Sequence, residues 1–252
     1  WNINIPYIER INKHGSNYLY SDNYYVSSLD GELVSLGNGV YASRDENGEF
    51  LKYELSNDVW TVTDKKGTIY KFGTTADSRQ DNPSDNTKIF KWMLEESRDT
   101  NNNYIKYEYF KDAGQIYPSK ITYTGNGTTP GVLEVNFVRE SRTSAPAFYN
   151  TGFSVKSNYR INGIRTEVSD VWARKYTLAY TTGDNLSGSL LDTIVESGQD
   201  DSSTVTTLPE TNFSYATSAT DWTYNSSLTM PLLFINGSTD YGMRTADING
   251  DG

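Results

Sequence analysis

The chain has 252 residues, enough for one large β domain or two smaller ones with a real core, and apolar residues make up only 36% of it. Acidic residues outnumber basic ones by 32 to 22, a formal net charge of −10 that repels phosphate backbones and anionic lipid surfaces, so nucleic acid is not an expected partner. Cysteine is absent, which removes disulfides and thiolate chemistry, and no apolar run approaches the roughly 18–20 residues a membrane-spanning helix requires.

Tyr occurs 20 times and Trp 5 times, so the core has to lean on aromatic and β-branched residues, which favour strands. Gly, also 20, together with many Asn, Asp, Ser and Thr residues supplies frequent turns, and long 3.6-periodic runs are missing. The predicted class is all-β: successive long antiparallel hairpins forming an extended or curved sheet or shell, with little helix.

In chain order, Trp1-Asn2-Ile3-Asn4-Ile5 alternates before Pro6, and Tyr18 to Val26 is rich in aromatics; both read as half-buried strands. Glu32–Leu36 and Gly39–Tyr41 flank Gly37-Asn38, and Phe50–Leu55 follows Asn47-Gly48, both hairpin turns. Val59 to Gly73 places Trp60, Val62, Tyr70 and Phe72 on either side of a polar turn with Gly67, a hairpin. Thr74 to Thr87 reads as a polar, mobile loop. A second hairpin runs from Ile89–Leu94 through a turn at Asp99–Asn103 to Tyr104–Tyr109, with Ile105, Tyr107 and Tyr109 on one face. Further strands are predicted at Lys120–Thr124, Val132–Val138, Arg160–Val168, Trp172–Tyr180 and Leu190–Glu196, before Phe213-Ser214-Tyr215. The composition changes toward the C-terminus, where Pro231–Ile235 is a short apolar strand and Asn236–Asp240 a turn. The expected division is therefore 1–235 and 236–252. A start at Trp1 and a stop at Gly252 inside a motif read as a piece of a longer protein.

Candidate chemistry is sparse. His14 is the one histidine and sits in a polar Lys13-His14-Gly15 context, a surface loop. No Gly-x-Ser-x-Gly elbow and no glycine-rich phosphate loop occur. A glycosidase needs only two carboxylates, but the adjacent pairs Glu95-Glu96 and Asp200-Asp201 point to opposite faces if they lie in strands. No catalytic and no cofactor-binding residue is assigned. The sharpest motif is terminal: Asp247, Asn249 and Asp251, spaced by two and followed by Gly252, match the opening of a calcium loop, because a hard cation wants several oxygens converging from one bend. Its later ligands lie beyond Gly252, so any calcium belongs to a longer protein. A plain Asn-Gly/Asp-Gly turn is the other reading of the same residues.

The ordered set Trp1 with Ile5-Pro6, Ile8-x-Arg10, Tyr24-Tyr25, Gly31-Glu32-Leu33-Val34, Trp60-x-Val62-x-Asp64-x-x-Gly67-x-x-Tyr70-x-Phe72-Gly73 and Trp92-x-Leu94-x-x-x-x-Asp99, leading to Asn103-x-Ile105-x-Tyr107-x-Tyr109, resembles the SpvB-type domain near the start of toxin-complex B subunits and Rhs-like proteins. Residues 246–252 are similar to the first calcium-type loop of the FG-GAP/VCBS-like propeller that follows it. One departure is Asn102-Asn103, where the family has Gly-Asn; asparagine tolerates positive φ, so the turn can survive. The resemblance implies a secreted, non-catalytic wall of a hollow shell that helps enclose or deliver a toxic payload. The implied partners are other segments of its own longer chain and a toxin C-type or translocation subunit. Tyr and Trp content with Asn-rich acidic loops leaves open the alternative of a surface adhesion or glycan-binding β module.

Overall fold

The computed structural model describes residues 3–183, 188–216, 235–236 and 238–240. The chain divides into two compact units, Trp1–Tyr215 and Ala216–Gly252; the composition change had suggested 235/236, and most of the stretch between lies outside the described residues. In the second unit Ile235–Asn236 pairs with Thr239–Asp240 as a short antiparallel hairpin.

The first unit is antiparallel throughout: β1 (Tyr7–Arg10), β2 (Tyr25–Ser27), β3 (Gly31–Gly37), β4 (Val40–Ser43), β5 (Lys52–Ser56), β6 (Val59–Thr63), β7 (Ile69–Phe72), β8 (Arg79–Asn82), β9 (Asp85–Arg98), β10 (Asn103–Asp112), β11 (Gln115–Asn126), β12 (Leu133–Ser141), β13 (Ala147–Phe148), β14 (Val155–Lys156), β15 (Tyr159–Val168), β16 (Val171–Thr182), β17 (Ser189–Gln199), β18 (Val205–Thr207) and β19 (Thr211–Asn212). Ser16–Tyr18 forms a single 3-10 turn. The all-β expectation therefore holds, and the sheet closes into a barrel.

Closure depends on β9. The strands β1 to β7 pair each with the next, β7 pairs with β9, and β9 returns to β1. At Trp92 the strand is flanked by Ile8 of β1 and Arg79 of β8; at Ser97 it is flanked by Tyr70 of β7 and Ile105 of β10. From β10 an open sheet runs away from the ring in the order β10, β11, β12, β15, β16, β17, with β18 and β19 on its last edge. Register shifts interrupt β10/β11, β12/β15, β15/β16 and β16/β17, and bulges of this kind bend and twist a sheet.

Period-2 alternation explains the barrel core. Trp60 and Val62 face inward opposite Phe72 and Tyr53, and Ile8 stands opposite Trp92, all of them fully buried. Tyr25, Tyr41, Tyr53 and Trp92 surround Trp60 edge-on, with ring centroids 5.0 to 6.5 Å away. Each such side chain removes about 150–250 Å² from water, on the order of 4–6 kcal/mol before ordering entropy. Several polar tips find partners: Trp92 Nε1 donates to Asp58 O at 2.8 Å, and the Tyr53 and Tyr109 hydroxyls donate to Asp30 Oδ1 and Leu94 O, whereas Trp60 Nε1 is buried without an acceptor.

Three predicted elements differ. Ile3 to Pro6 is not a strand: Ile5 N–H folds back to Ile3 O at 2.8 Å, and pairing begins only after Pro6, which has no N–H to give. Trp1 and Asn2 lie outside the described residues. Of Tyr18–Val26 only Tyr25 and Val26 enter a strand, because Tyr18 O accepts the N–H groups of Ser21 and Asp22 and curls the chain into a turn. Thr74–Thr87 is no mobile loop. Arg79–Asn82 pairs with β9, Ser78 is fully buried, and buried Glu95 ties down Thr74 and Thr75 through their hydroxyls and the Thr75 N–H at 2.9 Å.

Candidate functional site

The residues singled out by sequence scatter. His14 is exposed at the barrel rim; its Nδ1 lies 2.9 Å from Asp22 Oδ2 and its ring meets Tyr24 edge-on. Glu95 and Glu96 face opposite ways, as strand neighbours must: Glu95 binds the Thr74-Thr75 corner, and Glu96 lies 2.9 Å from Arg98 Nε, whose hydrogen bond holds its carboxyl below the usual range. Asp200 anchors the β17–β18 turn and Asp201 is exposed. Asp247, Asn249 and Asp251 lie outside the described residues. Among the described residues no group of three His, Asp or Glu is placed to hold a metal ion.

What the fold brings together instead is a groove of about 1350 Å³. Ile5, Tyr7, Phe90 and Met93 form its barrel side, Ile116, Ile161 and Tyr180 its sheet side, and Phe148 and Tyr149 reach in from residues 142–158. Among the described residues Glu9 is the one carboxylate in this lining, and it pairs with Lys91 at 2.7 Å; Lys91 Nζ also sits 4.1 Å from the centre of the Tyr7 ring. Two opposed carboxylates, the constellation a glycosidase uses, are not brought together in this groove.

The groove exists because residues 142–158 leave the sheet between β12 and β15 and fold back onto the barrel. Phe153 and Val155 join Leu19 and Phe90 in a second buried cluster. The Tyr20 hydroxyl donates to Thr151 O, Asn158 Nδ2 donates to Asp112 Oδ2 at 2.7 Å, and Lys156 N–H reaches Ala113 O at 3.1 Å. Burial pushes the Tyr20 phenol up to about 12 despite nearby Arg10. Arg10 braces the same end of the barrel: Nε donates to Ile89 O at 2.9 Å, Nη1 to Asp22 O at 2.8 Å, and the guanidinium stacks 5.1 Å from the Tyr25 ring centre. Sequence reasoning missed this clasp. The available signal was its length, since the stretch between the β12 and β15 strands is too long for a tight hairpin yet carries Phe148, Tyr149, Phe153 and Val155.

With this geometry in hand, the chain can be set beside known proteins. Residues 43–129 match the family described as SpvB, Salmonella virulence plasmid 65kDa B protein. Those residues are similar to that family. That segment holds the Trp60–Gly73 and Trp92–Tyr109 hairpins. The crystal structure of TcdB2-TccC3-Cdc42 superposes with a TM-score of 0.69 at 16% identity, covering 85% of this chain and 14% of that one. The Photorhabdus luminescens Tc holotoxin pore gives 0.68 at the same identity and coverage. The N-terminal domain of effector protein SpvB from Salmonella typhimurium strain LT2 gives 0.56 at 15% identity, covering 84% of this chain and 87% of that one. The present chain therefore spans about a seventh of the TcdB2-TccC3 chain. No curated protein matches it.

Proposed function

We propose that this chain is a non-catalytic structural module of a larger toxin-associated protein, a stretch of shell wall that helps enclose or deliver a payload. The observation that carries this reading is the barrel continued as one bent, bulged sheet, the fold shared with a seventh of the TcdB2-TccC3 chain and with nearly all of the SpvB N-terminal domain. Its polar groups support the same view, because Arg10, Glu95 and Lys111 spend their hydrogen bonds on holding strands and corners rather than on facing the groove. On this reading the protein is exported, its partners are a TccC3-like subunit and the rest of its own chain, and Asp247, Asn249 and Asp251 open a calcium loop completed downstream. Calorimetric titration of the longer chain with calcium checks that last point.

The test of the wall role is protease protection. In the full-length protein assembled with its C-type partner, Leu178→Asp places a charge at a buried position of the open sheet and is expected to expose the enclosed segment to trypsin. The near-ultraviolet signal of the Trp60 cluster should stay intact. Unchanged protection with a demonstrably opened sheet refutes the proposal.

One observation favours a second reading, a glycan-binding module: Phe148 and Tyr149 stand 51% and 68% exposed at the groove. A glycan array probed with and without calcium tests it. Hits that vanish in Tyr149→Ala support glycan binding, and an array without hits removes it.

A further inference from the structure

We propose that a second cavity, formed where β10, β11, β12 and β15 meet, is a binding pocket for an organic carboxylate carried on an aromatic or branched apolar body. The cavity has a volume of about 390 Å³, and its lining includes Arg139, Arg165, Asn136, Phe110 and Tyr159. It is separate from the groove described above and does not depend on the wall role.

Arg139 is the unusual member. Two half-buried cations on neighbouring strands have a carboxylate: Arg160 lies 2.6 Å from Glu140 and Lys120 3.1 Å from Glu134. Arg139 has no such partner among the described residues. Its Nη1 reaches only the main-chain oxygens of Phe137 at 3.4 Å and Pro118 at 3.5 Å, both at the outer limit of a hydrogen bond, and its guanidinium is stacked 4.4 Å from the centre of the Phe110 ring. Burial lowers its affinity for its proton, with Tyr159 and Tyr117 opposing. A half-buried guanidinium without a counter-charge gives up hydration that no carboxylate replaces, and in a protein with a net charge of −10 it stands out. Arg165 adds a second fork in the same cavity: it stands 3.4 Å from Glu167, too long for a strong charge-assisted bond, and its Nε is buried without an acceptor.

The ligand class follows from shape. A guanidinium fork matches the two coplanar oxygens of a carboxylate. A bare phosphate would use the charge but leave most of the volume and the Phe110 and Tyr159 rings without a partner, whereas an aromatic acid fills both.

The probe is benzoate, compared with inorganic phosphate and benzyl alcohol at constant ionic strength, and the readout is the Nε–Hε resonances of Arg139 and Arg165. Benzoate is expected to shift both saturably with a dissociation constant of about 1 mM, with the charge-only and body-only probes at least about tenfold weaker. Arg139→Gln and Arg139→Lys should each lose at least about tenfold, the lysine variant because it keeps the charge but not the fork. If Arg139→Gln does not fold, Arg165→Gln, whose side chain is 40% exposed, serves in its place and should weaken benzoate to a similar degree. The proposal is overturned if benzoate produces no saturable shift, if phosphate binds as well as benzoate, or if a folded arginine variant binds benzoate like the parent.

Discussion

Asp64, Asp99 and Asp200 build three turns with the same atoms. Each aspartate sends one Oδ1 to the N–H groups two and four residues on: Lys66 and Thr68, Asn101 and Asn103, Ser202 and Thr204, all within 2.8–2.9 Å. Each turn has positive φ three residues after its aspartate, at Gly67 (85°), Asn102 (64°) and Ser203 (66°). Asn102 thus takes a left-handed conformation that glycine adopts most readily, and its short polar side chain tolerates it. The Asp64 and Asp99 turns were legible because a five-residue pattern of Asp and a positive-φ residue carries its own hydrogen-bond logic; the Asp200 turn, whose residues read as a carboxylate pair, was not. At Asp64, desolvation raises the carboxyl and the Thr68 and Lys66 N–H groups more than offset it, so the carboxylate is held below its ordinary value. A carboxyl lowered in the folded state stabilises above the unfolded value, near pH 4, and loses that contribution as pH falls through the folded one. Asp64→Ala is therefore expected to cost about 1 kcal/mol in urea denaturation at neutral pH, with the difference shrinking below about pH 4. Gly73 is a stricter case. It has φ 69°, and a Cβ there would lie 2.2 Å from Trp92 Cδ1, so Gly73 and Trp92 are one packing unit. Gly73→Ala is expected to lose about 2–5 kcal/mol, read as a fall in Tm, and an unchanged Tm would refute this packing.

At the scale of elements, the hairpins and the clasp differ in how much of them is local. Strands β5 to β7 and β10 follow from alternation and turn chemistry within about a dozen residues and were placed well from sequence, whereas only the centres of β9 and β11, Ile89–Leu94 and Lys120–Thr124, were read. Residues 142–158 are different: their cluster with Leu19 and Phe90 joins positions far apart in the chain, and no local pattern announces it. Because Phe153 is 7% exposed and central to that cluster, Phe153→Ala is expected to cost about 3–5 kcal/mol of local stability. Hydrogen exchange should show protection lost in residues 142–158 and around Leu19 while β5 to β7 stay protected. Uniform loss across the barrel would mean that the clasp and barrel unfold as one unit.

For the whole first unit, the tyrosines set an alkaline limit. Burial raises Tyr25, Tyr53 and Tyr109 above the ordinary phenol value, reinforced at Tyr53 by its bond to Asp30 and at Tyr109 by Glu95, and it brings Tyr20 to about 12. Phenols raised in the folded state contribute stability in full below the unfolded value of about 10 and lose it as pH climbs toward the folded values. Absorbance of tyrosinate at alkaline pH should therefore rise in two stages, exposed phenols first near pH 10 and the barrel tyrosines later, together with loss of the near-ultraviolet circular dichroism of the Trp60 cluster. A single smooth titration near pH 10 would contradict the packed aromatic core. The same contrast separates what was readable from what was not. The all-β class, the hairpins and their turns follow from neighbours in sequence, because side-chain alternation and turn geometry act over a few residues. Ring closure hangs on Ile8 meeting Trp92 from far along the chain, and the groove and the Arg139 cavity arise where such distant strands meet. Contacts of that range leave no periodic trace in the chain; they exist only once loop-closure entropy has been overcome by the burial of aromatic surface.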